Sequence, residues 1–64
     1  MDARERKNIK KGTKVAILQK QDERSGHLTH GVVQDIIDEV GFHMKGIECK
    51  LKTGQTGRVK LIKL

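Results

Sequence analysis

The stretch that decides the fold is IECKLKTGQTGRVKLIKL, residues 47–64. Two runs within it, residues 47–52 and 58–61, alternate apolar with polar side chains, the period of a strand that buries one face. The linking residues 54–57 contain Gly54 and Gly57, and glycine adopts the φ > 0 conformations of tight turns without steric cost. The stretch is therefore predicted to be a β-hairpin with a connection of three to five residues.

The Gly-Gln-Thr-Gly segment has two phosphate-binding interpretations that compete with the hairpin. The nucleotide-clamping loop of a KH domain joins two helices, whereas neither flank here has helical period. A P-loop ends in Lys-Ser/Thr, which reaches phosphate and magnesium, and that ending is missing after the glycines. We therefore favour the hairpin.

Further strand-like runs precede the hairpin. KVAIL, residues 14–18, follows Gly12 and places Val15 and Ile17 on one face. In HGVVQDII, residues 30–37, Gly31 interrupts the strand pattern, so we expect a bulge or a sharp bend there. The apolar pairs at 32–33 and 36–37 also fit one face of a helix. Their β-branched side chains favour a strand, with a helical turn at residues 34–40 as the alternative.

These elements predict an all-β fold, a small SH3-like antiparallel barrel of four to five strands with glycine-containing turns and no proline. Sixty-four residues leave room for one domain, which we place at residues 9–64. Residues 1–8 are charged and lack amphipathic spacing, so they are predicted to be a flexible basic N-terminal arm. The glycines assigned to structural turns are Gly12, Gly31, Gly54 and Gly57.

The charge points to polyanions as partners. Fourteen Lys and Arg against eight Asp and Glu give a formal net charge of +6. Phe42 is the one aromatic residue, which argues against recognition by base stacking. No apolar run approaches the roughly 20 residues of a membrane span, and no leader resembling a signal peptide opens the chain, so no membrane association and a cytoplasmic location are expected.

An enzyme is not expected, and no catalytic residue, cofactor or small-molecule substrate is assigned. Asp35, Asp38 and Glu39 cluster in sequence, but a domain of this size seldom supplies the cleft that shifts a carboxyl pKa. No metal site is assigned either, because His27 and His30 point to opposite faces of a strand and Cys49 lies on its apolar side.

The basic residues of the hairpin are the candidate nucleic-acid contacts. Lys50, Lys52, Arg58 and Lys60 fall on the outward phase of two adjacent strands, with Glu48 the one acid among those outward positions. Lys14 is added from a second basic group in and beside the N-terminal arm, which comprises Arg4, Arg6, Lys7, Lys10, Lys11 and Lys14. The alternative is that these lysines only prevent edge-to-edge aggregation.

The chain resembles the YwbE family of small, uncharacterised microbial proteins over residues 8–63. The residues that carry the resemblance are Gly12, Val15, Gly26, Leu28, Gly31, Val32, Asp35, Ile36, Gly46, Ile47, Leu51, Gly54, Gly57, Arg58, Val59 and Ile62. It implies a fold but no activity.

Thr29, Gly31 and Val33 are also similar to the Gly-x-Val strand of KOW-type SH3-like barrels, and this resemblance implies contact with RNA or a ribonucleoprotein. We therefore expect a non-catalytic module that binds RNA or a ribonucleoprotein through the basic hairpin face. The alternative is a protein–protein interaction module that uses a strand edge or the 41–46 loop, in which Phe42 and Met44 lie.

Overall fold

Each strand pairs with two neighbours in the computed structural model, which describes residues 2–63. The strands are β1 (Lys14–Leu18), β2 (Thr29–Ile36), β3 (Glu48–Leu51) and β4 (Thr56–Lys63). All pairings are antiparallel, and β1 pairs with β4 to close the barrel. The predicted all-β antiparallel barrel is confirmed, and it fits the small SH3-like type. The helical segments in the described residues are two short 3₁₀ turns, Arg6–Asn8 and Lys20–Asp22.

The core is formed by the inward side chains of all four strands together with residues from the flanking segments. The strand residues Val15, Ile17, Val33, Cys49, Leu51 and Val59 and the loop residue Ile47 are completely buried, and Ile9 is 2% exposed. Full burial of a large aliphatic side chain stabilises a fold by about 1.5–3 kcal/mol. Ile36 and Ile62 pack against this cluster from its margin.

The β3–β4 hairpin is present, with residues 52–55 connecting the strands. Gly54 lies in the turn with φ +93°, a conformation that L side chains rarely adopt. Gly57 was assigned to the turn, but it lies inside β4 opposite Cys49. A Cβ atom at Gly57 would stand 2.6 Å from the carbonyl oxygen of Leu18. The absence of a side chain there lets β4 approach the end of β1.

The two other glycines also differ from each other. Gly12 lies in the turn before β1 with φ +90°, and its N–H donates to the carbonyl of Val33 at 2.9 Å. Gly31 lies inside β2 and pairs regularly with Val15, so of the predicted bulge or sharp bend it forms no bulge, and it is not in a turn; the irregularity of β2 lies between Val33 and Asp35. A Cβ at Gly31 would stand 2.7 Å from Cδ1 of Leu51, so this glycine makes room for a core side chain.

The segment with ambiguous periodicity is a strand as far as Ile36, and residues 37–39 form no regular structure. The strand interpretation is therefore correct, and the helical turn considered for residues 34–40 is not formed.

The N-terminal residues differ from the flexible arm that the sequence predicts. Backbone hydrogen bonds join Arg6 N–H to Gly41 O at 2.9 Å and His43 N–H to Arg4 O at 2.9 Å. Ala3 is only 9% exposed and belongs to the core cluster. Residues 2–8 thus pack along the 41–47 segment through backbone hydrogen bonds. The pattern of apolar and polar side chains does not predict such bonds. The predicted outer boundaries, residues 1 and 64, lie outside the described residues. No helix among residues 2–63 has the length and apolar character to cross a membrane.

Candidate nucleic-acid interface

The predicted hairpin face carries charges of both signs. Arg58 of β4 lies directly opposite Glu48 of β3, and Lys50 lies opposite Thr56. On its other side Lys50 faces Asp35 of β2. Opposite charges in directly facing positions attract each other across strands, so these acids weaken the positive potential of the face. Lys52 is exposed in the turn that follows β3.

Arg58 is engaged inside the protein. Its Nη1 donates to Oδ2 of Asp38 at 3.1 Å and to the carbonyl oxygen of Gly46 at 3.0 Å. The same Oδ2 accepts a hydrogen bond from Glu48 N–H at 2.9 Å. The side chains of Arg58 and Asp38 are only 32% and 19% exposed. The guanidinium therefore ties the segment around residues 38–48 to β4, a structural contact that the sequence analysis did not predict.

Lys60 occupies a β-bulge. Ala16 of β1 pairs with Leu61 and Ile17 pairs with Val59, so Lys60 is the extra residue of β4. Its Nζ donates to the carbonyl oxygen of Lys45 at 2.6 Å on the exposed surface. Because the bulge shifts the phase of the strand, Leu61 is 53% exposed and Ile62 turns toward the core. Regular alternation from Val59 would instead turn Leu61 inward.

The same shift places a lysine of β4 opposite a lysine of β1. Lys63 pairs directly with Lys14 of β1, and both residues are exposed. Neither β1 nor β4 contains an acidic residue, while β4 also carries Arg58 and Lys60. Like charges directly opposite each other repel in a sheet. The pair therefore concentrates positive charge at one point of the surface. We call the outer surface of these two strands the β1–β4 face.

A shallow groove adjoins the Lys14–Lys63 pair. Lys7 and Lys10 line it with the two strand lysines, around Asn8 and Thr13, and we call it the lysine groove. The turn before β1 is fixed by two hydrogen bonds, Lys10 N–H to Thr13 Oγ1 at 3.1 Å and Thr13 N–H to Lys10 O at 3.0 Å. That turn holds the backbone of Lys10 beside β1.

The lysines of the groove differ in their ionic partners. Lys7 Nζ lies 3.9 Å from Oε1 of Glu5, at the outer limit of an ion pair. Within residues 2–63, the side chains of Lys10, Lys14 and Lys63 form no ion pair or hydrogen bond. Three ammonium groups with no anion from the described chain therefore surround a surface depression.

A second groove lies at the opposite end of the β1–β4 face. Lys20, Lys45 and Lys60 line it together with Arg58, and the acids Glu23 and Glu48 reach it as well. His43 also lines it, with Nδ1 accepting a hydrogen bond from Lys45 N–H at 3.1 Å. This groove is basic on balance but mixed in sign, unlike the lysine groove.

The predicted nucleic-acid contacts are therefore divided. Lys14 lies in the lysine groove, Arg58 and Lys60 lie at the other end of the β1–β4 face, and Lys50 and Lys52 lie on the β3 side. Lys63 was missed because strict alternation turns it inward. The adjacent apolar pair Leu61–Ile62 was the available sign that alternation breaks in β4.

The other candidate residues take up structural positions. Burial raises the pKa of the Cys49 thiol to about 11, so this core residue stays protonated at neutral pH. Asp35 lies 3.4 Å from Nζ of Lys11 and Asp38 pairs with Arg58. No three His, Cys, Asp or Glu side chains of residues 2–63 converge as metal ligands would.

An apolar surface lies apart from the β1–β4 strands, in the segment between β2 and β3. Phe42 is 51% exposed and Met44 is 79% exposed. The Arg4 guanidinium carbon lies 5.6 Å from the centre of the Phe42 ring, within cation–π range. Ile37 and Val40 are also about half exposed.

Comparison with known proteins gives two matches of the same kind. The family described as "Uncharacterized conserved protein (DUF2196)" matches residues 2–62. The "Uncharacterized protein YwbE" of Bacillus subtilis (strain 168) is 43% identical over 58 residues, which cover 91% of this chain and 89% of the relative. No solved structure matches the chain significantly.

Proposed function

The chain belongs to the DUF2196 family of uncharacterised conserved proteins, which its similarity to YwbE also supports, and on that premise we propose that it is a non-catalytic RNA-binding module. Family membership assigns no activity, so the proposal rests on the surface of the barrel. The partner would be RNA or a ribonucleoprotein in the cytoplasm. The similarity of Thr29, Gly31 and Val33 to the KOW pattern is consistent with this partner.

The observation that carries the proposal is the Lys14–Lys63 pair. Two lysines face each other across β1 and β4, and no acid on either strand compensates them. Such a pair is unfavourable in the free protein. A bound phosphate group removes the repulsion and adds charge-assisted hydrogen bonds. Lys7 and Lys10 complete a groove that attracts a phosphate backbone.

The absence of base-stacking groups on these strands fits binding to the backbone. Neither β1 nor β4 contains an aromatic residue. Phe42, the one aromatic residue of the chain, lies between β2 and β3 beside Glu5. Contacts would therefore be made to phosphates and sugars, which give affinity with little sequence preference.

The proposal changes which of the basic residues chosen from sequence are expected to contact RNA. Lys14 and Lys60 stay as proposed phosphate contacts, joined by Lys63 and Lys10. Arg58 contributes chiefly by holding the 38–48 segment in place. The contacts predicted for Lys50 and Lys52 are not part of this proposal, because both residues lie on the β3 side of the barrel, where Lys50 faces Asp35.

The test is fluorescence anisotropy of labelled structured RNA, single-stranded RNA and duplex DNA at several salt concentrations. The wild type is expected to bind RNA with an affinity that falls steeply with salt, since each neutralised phosphate releases counterions. The double variant Lys14→Glu/Lys63→Glu is expected to lose at least ten-fold in affinity. Lys50→Glu/Lys52→Glu carries the same change of charge on the β3 side and serves as the matched control.

Two results would contradict the proposal. One is wild-type protein that binds none of the ligands near physiological salt. The other is equal loss in the two double variants, which would show that net charge alone drives association. Thermal unfolding of each variant establishes that the comparison is made between folded proteins.

A second candidate function is a protein-interaction module, and the exposed Phe42 and Met44 favour it. Because the strands close into a barrel, the 41–46 loop rather than a strand edge would be the binding surface. A partner bound there is expected to resist nuclease and high salt in a pull-down, and to be lost in Phe42→Ser/Met44→Ser. Loss of every partner on nuclease treatment would instead support RNA binding.

A further inference from the structure

The cations on and beside the β1–β4 face form two clusters rather than one continuous line. The first cluster is Lys10, Lys14 and Lys63, beside the lysine groove. The second cluster is Lys20, Lys45 and Lys60, beside the mixed groove. Lys60 and Lys63 are three residues apart along β4, about 10 Å, and Lys14 and Leu18 on β1 are about 13 Å apart at the usual strand rise.

The surface between the clusters carries no charged side chain of β1 or β4. It is occupied by Leu61, which is 53% exposed, while its cross-strand neighbour Ala16 is fully buried. On the β2 side Ala16 pairs with His30, which is exposed and can donate or accept a hydrogen bond.

This arrangement suits a single strand of nucleic acid poorly. Proteins that bind single strands combine a continuous basic groove with aromatic platforms on which successive bases stack. The β1–β4 face interrupts its cations with Ala16 and Leu61, and neither strand carries an aromatic side chain. An extended strand would cross an uncharged gap with nothing to stack on.

A double helix matches the two clusters better, because two phosphate backbones flank each of its grooves. The A-form minor groove is wide and shallow and displays 2′-hydroxyl groups, whereas the minor groove of B-DNA is only about 6 Å wide. A surface with the exposed aliphatic side chain of Leu61 at its centre and ammonium groups on both sides can lie over the wide groove. Exposed His30 then stands at the margin, where it can hydrogen-bond a 2′-hydroxyl.

We propose that the β1–β4 face binds double-helical RNA across the minor groove, with the first cluster on one backbone and the second cluster on the other. This inference rests on the proposed RNA-binding function and specifies the form of RNA. It also assigns a role to Lys20, Lys45 and Lys63, which the hairpin hypothesis did not include.

The experiment compares one sequence in several forms: an RNA duplex, each of its RNA strands alone, and the corresponding DNA duplex. Fluorescence anisotropy is measured for the wild type over a range of salt concentrations. We expect the RNA duplex to bind at least ten-fold more tightly than either single strand or the DNA duplex.

Charge-neutralising double variants test whether both clusters take part. Lys14→Gln/Lys63→Gln removes two charges from the first cluster, and Lys45→Gln/Lys60→Gln removes two from the second. Each is expected to weaken duplex binding at least ten-fold and to reduce the logarithmic salt slope by about 2, because each lysine–phosphate interaction contributes about one unit to that slope. Lys50→Gln/Lys52→Gln is the matched control, expected to change affinity by less than three-fold.

A second pair of variants tests the centre of the face without removing a cation. Leu61→Glu places a negative charge between the clusters at a position that is already 53% exposed, so folding is expected to tolerate it. It should weaken duplex binding at least ten-fold. Val40→Glu introduces the same charge at a residue that is 50% exposed between β2 and β3 and lines neither groove, and it should leave binding within three-fold of wild type.

The outcomes separate this inference from the function on which it rests. Equal or tighter binding of single-stranded RNA, or dependence on one cluster only, would overturn the duplex assignment while RNA binding itself stands. Equal affinity for the DNA duplex would overturn the assignment to the A-form groove. Absence of binding to every RNA form would remove both proposals.

Discussion

The two strand pairs that share β4 differ in what faces each cation across the sheet. On the β3 side Arg58 faces Glu48 and pairs with Asp38, so its charge is compensated inside the protein. On the β1 side Lys63 faces Lys14, and the charge of both is left to solvent or to a ligand. The local charge of the surface therefore depends less on the number of cations on a strand than on the cross-strand neighbour of each cation.

The bulge at Lys60 makes this difference possible. Without the extra residue, regular alternation would turn Leu61 inward and leave Lys63 on the inner side of β4. With it, Ile62 packs against the core and Lys63 emerges opposite Lys14. One inserted residue thus lets β4 present a compensated cation, Arg58, and an uncompensated cation, Lys63, on its outer surface. Redirecting side chains is a general effect of β-bulges.

The largest effect is expected where the two strand pairs meet, at Gly57. In Gly57→Ala the new Cβ would stand 2.6 Å from the backbone oxygen of Leu18, a contact that only movement of β4 or β1 can relieve. We expect a loss of about 3 kcal/mol in the free energy of unfolding, as for a strongly overpacked site. Urea denaturation monitored by circular dichroism measures it.

Gly41→Ala is the control for this substitution, because a Cβ there meets nothing within 4 Å and Gly41 has no positive φ. It is expected to change stability by less than about 0.5 kcal/mol, as is usual for surface positions. Equal stability of the two variants would show that β4 does not need its close approach to β1. The connection between the two surfaces would then be looser than the structure indicates.

Much of the fold follows from local sequence, whereas the site depends on contacts between distant residues. The alternation of residues 47–52 predicts β3, and the glycines after it predict the hairpin, because both features are properties of a few adjacent residues. The outer position of Lys63 depends on how β4 aligns with β1, more than 40 residues earlier in the chain. The pattern of apolar and polar residues within 56–63 does not determine how β4 aligns with β1.

Arg58 is a second residue whose contacts could not be predicted from local sequence. Its outward phase on β4 was predicted, but Asp38 lies 20 residues away in a segment without regular structure. The ion pair arises only when the barrel closes and brings that segment against β4. The packing of residues 2–8 is likewise a backbone contact with residues 41–47, and hydrophobic patterning does not record such contacts.

The next largest effect is expected at Arg58, and it separates charge from structure. Arg58→Lys keeps the charge but cannot easily reproduce the two hydrogen bonds from Nη1 to Asp38 and Gly46 O. We expect stability to fall by about 2 kcal/mol, within the range for hydrogen bonds to charged groups. Affinity for RNA should stay within three-fold of wild type under conditions in which the variant is folded.

Lys50→Arg is the comparison for this prediction, since Lys50 is exposed on the neighbouring strand and the change also keeps the charge. Its stability is expected to match the wild type. If Arg58→Lys were equally stable, the ion pair with Asp38 would not hold the 38–48 segment. If instead it lost RNA affinity as strongly as Lys14→Gln/Lys63→Gln, Arg58 would belong to the binding surface and the contrast between the two strand pairs would fail.

The smallest effect is expected at Lys63 and has the opposite sign. Lys63→Gln removes the repulsion with Lys14, so the free protein should become more stable by about 0.5 kcal/mol at low salt, the usual order for a cross-strand pair. Salt screens the wild-type repulsion, so the gain should shrink as ionic strength rises. Thermal unfolding of the variant, the wild type and Lys52→Gln at two salt concentrations measures it, with Lys52→Gln controlling for net charge.

A substitution at Lys63 that stabilises the protein and also weakens RNA binding would identify a residue that serves function at the expense of stability. If Lys63→Gln lowered the melting temperature instead, the lysine pair would contribute to folding and would no longer distinguish the β1 side of the barrel from the β3 side.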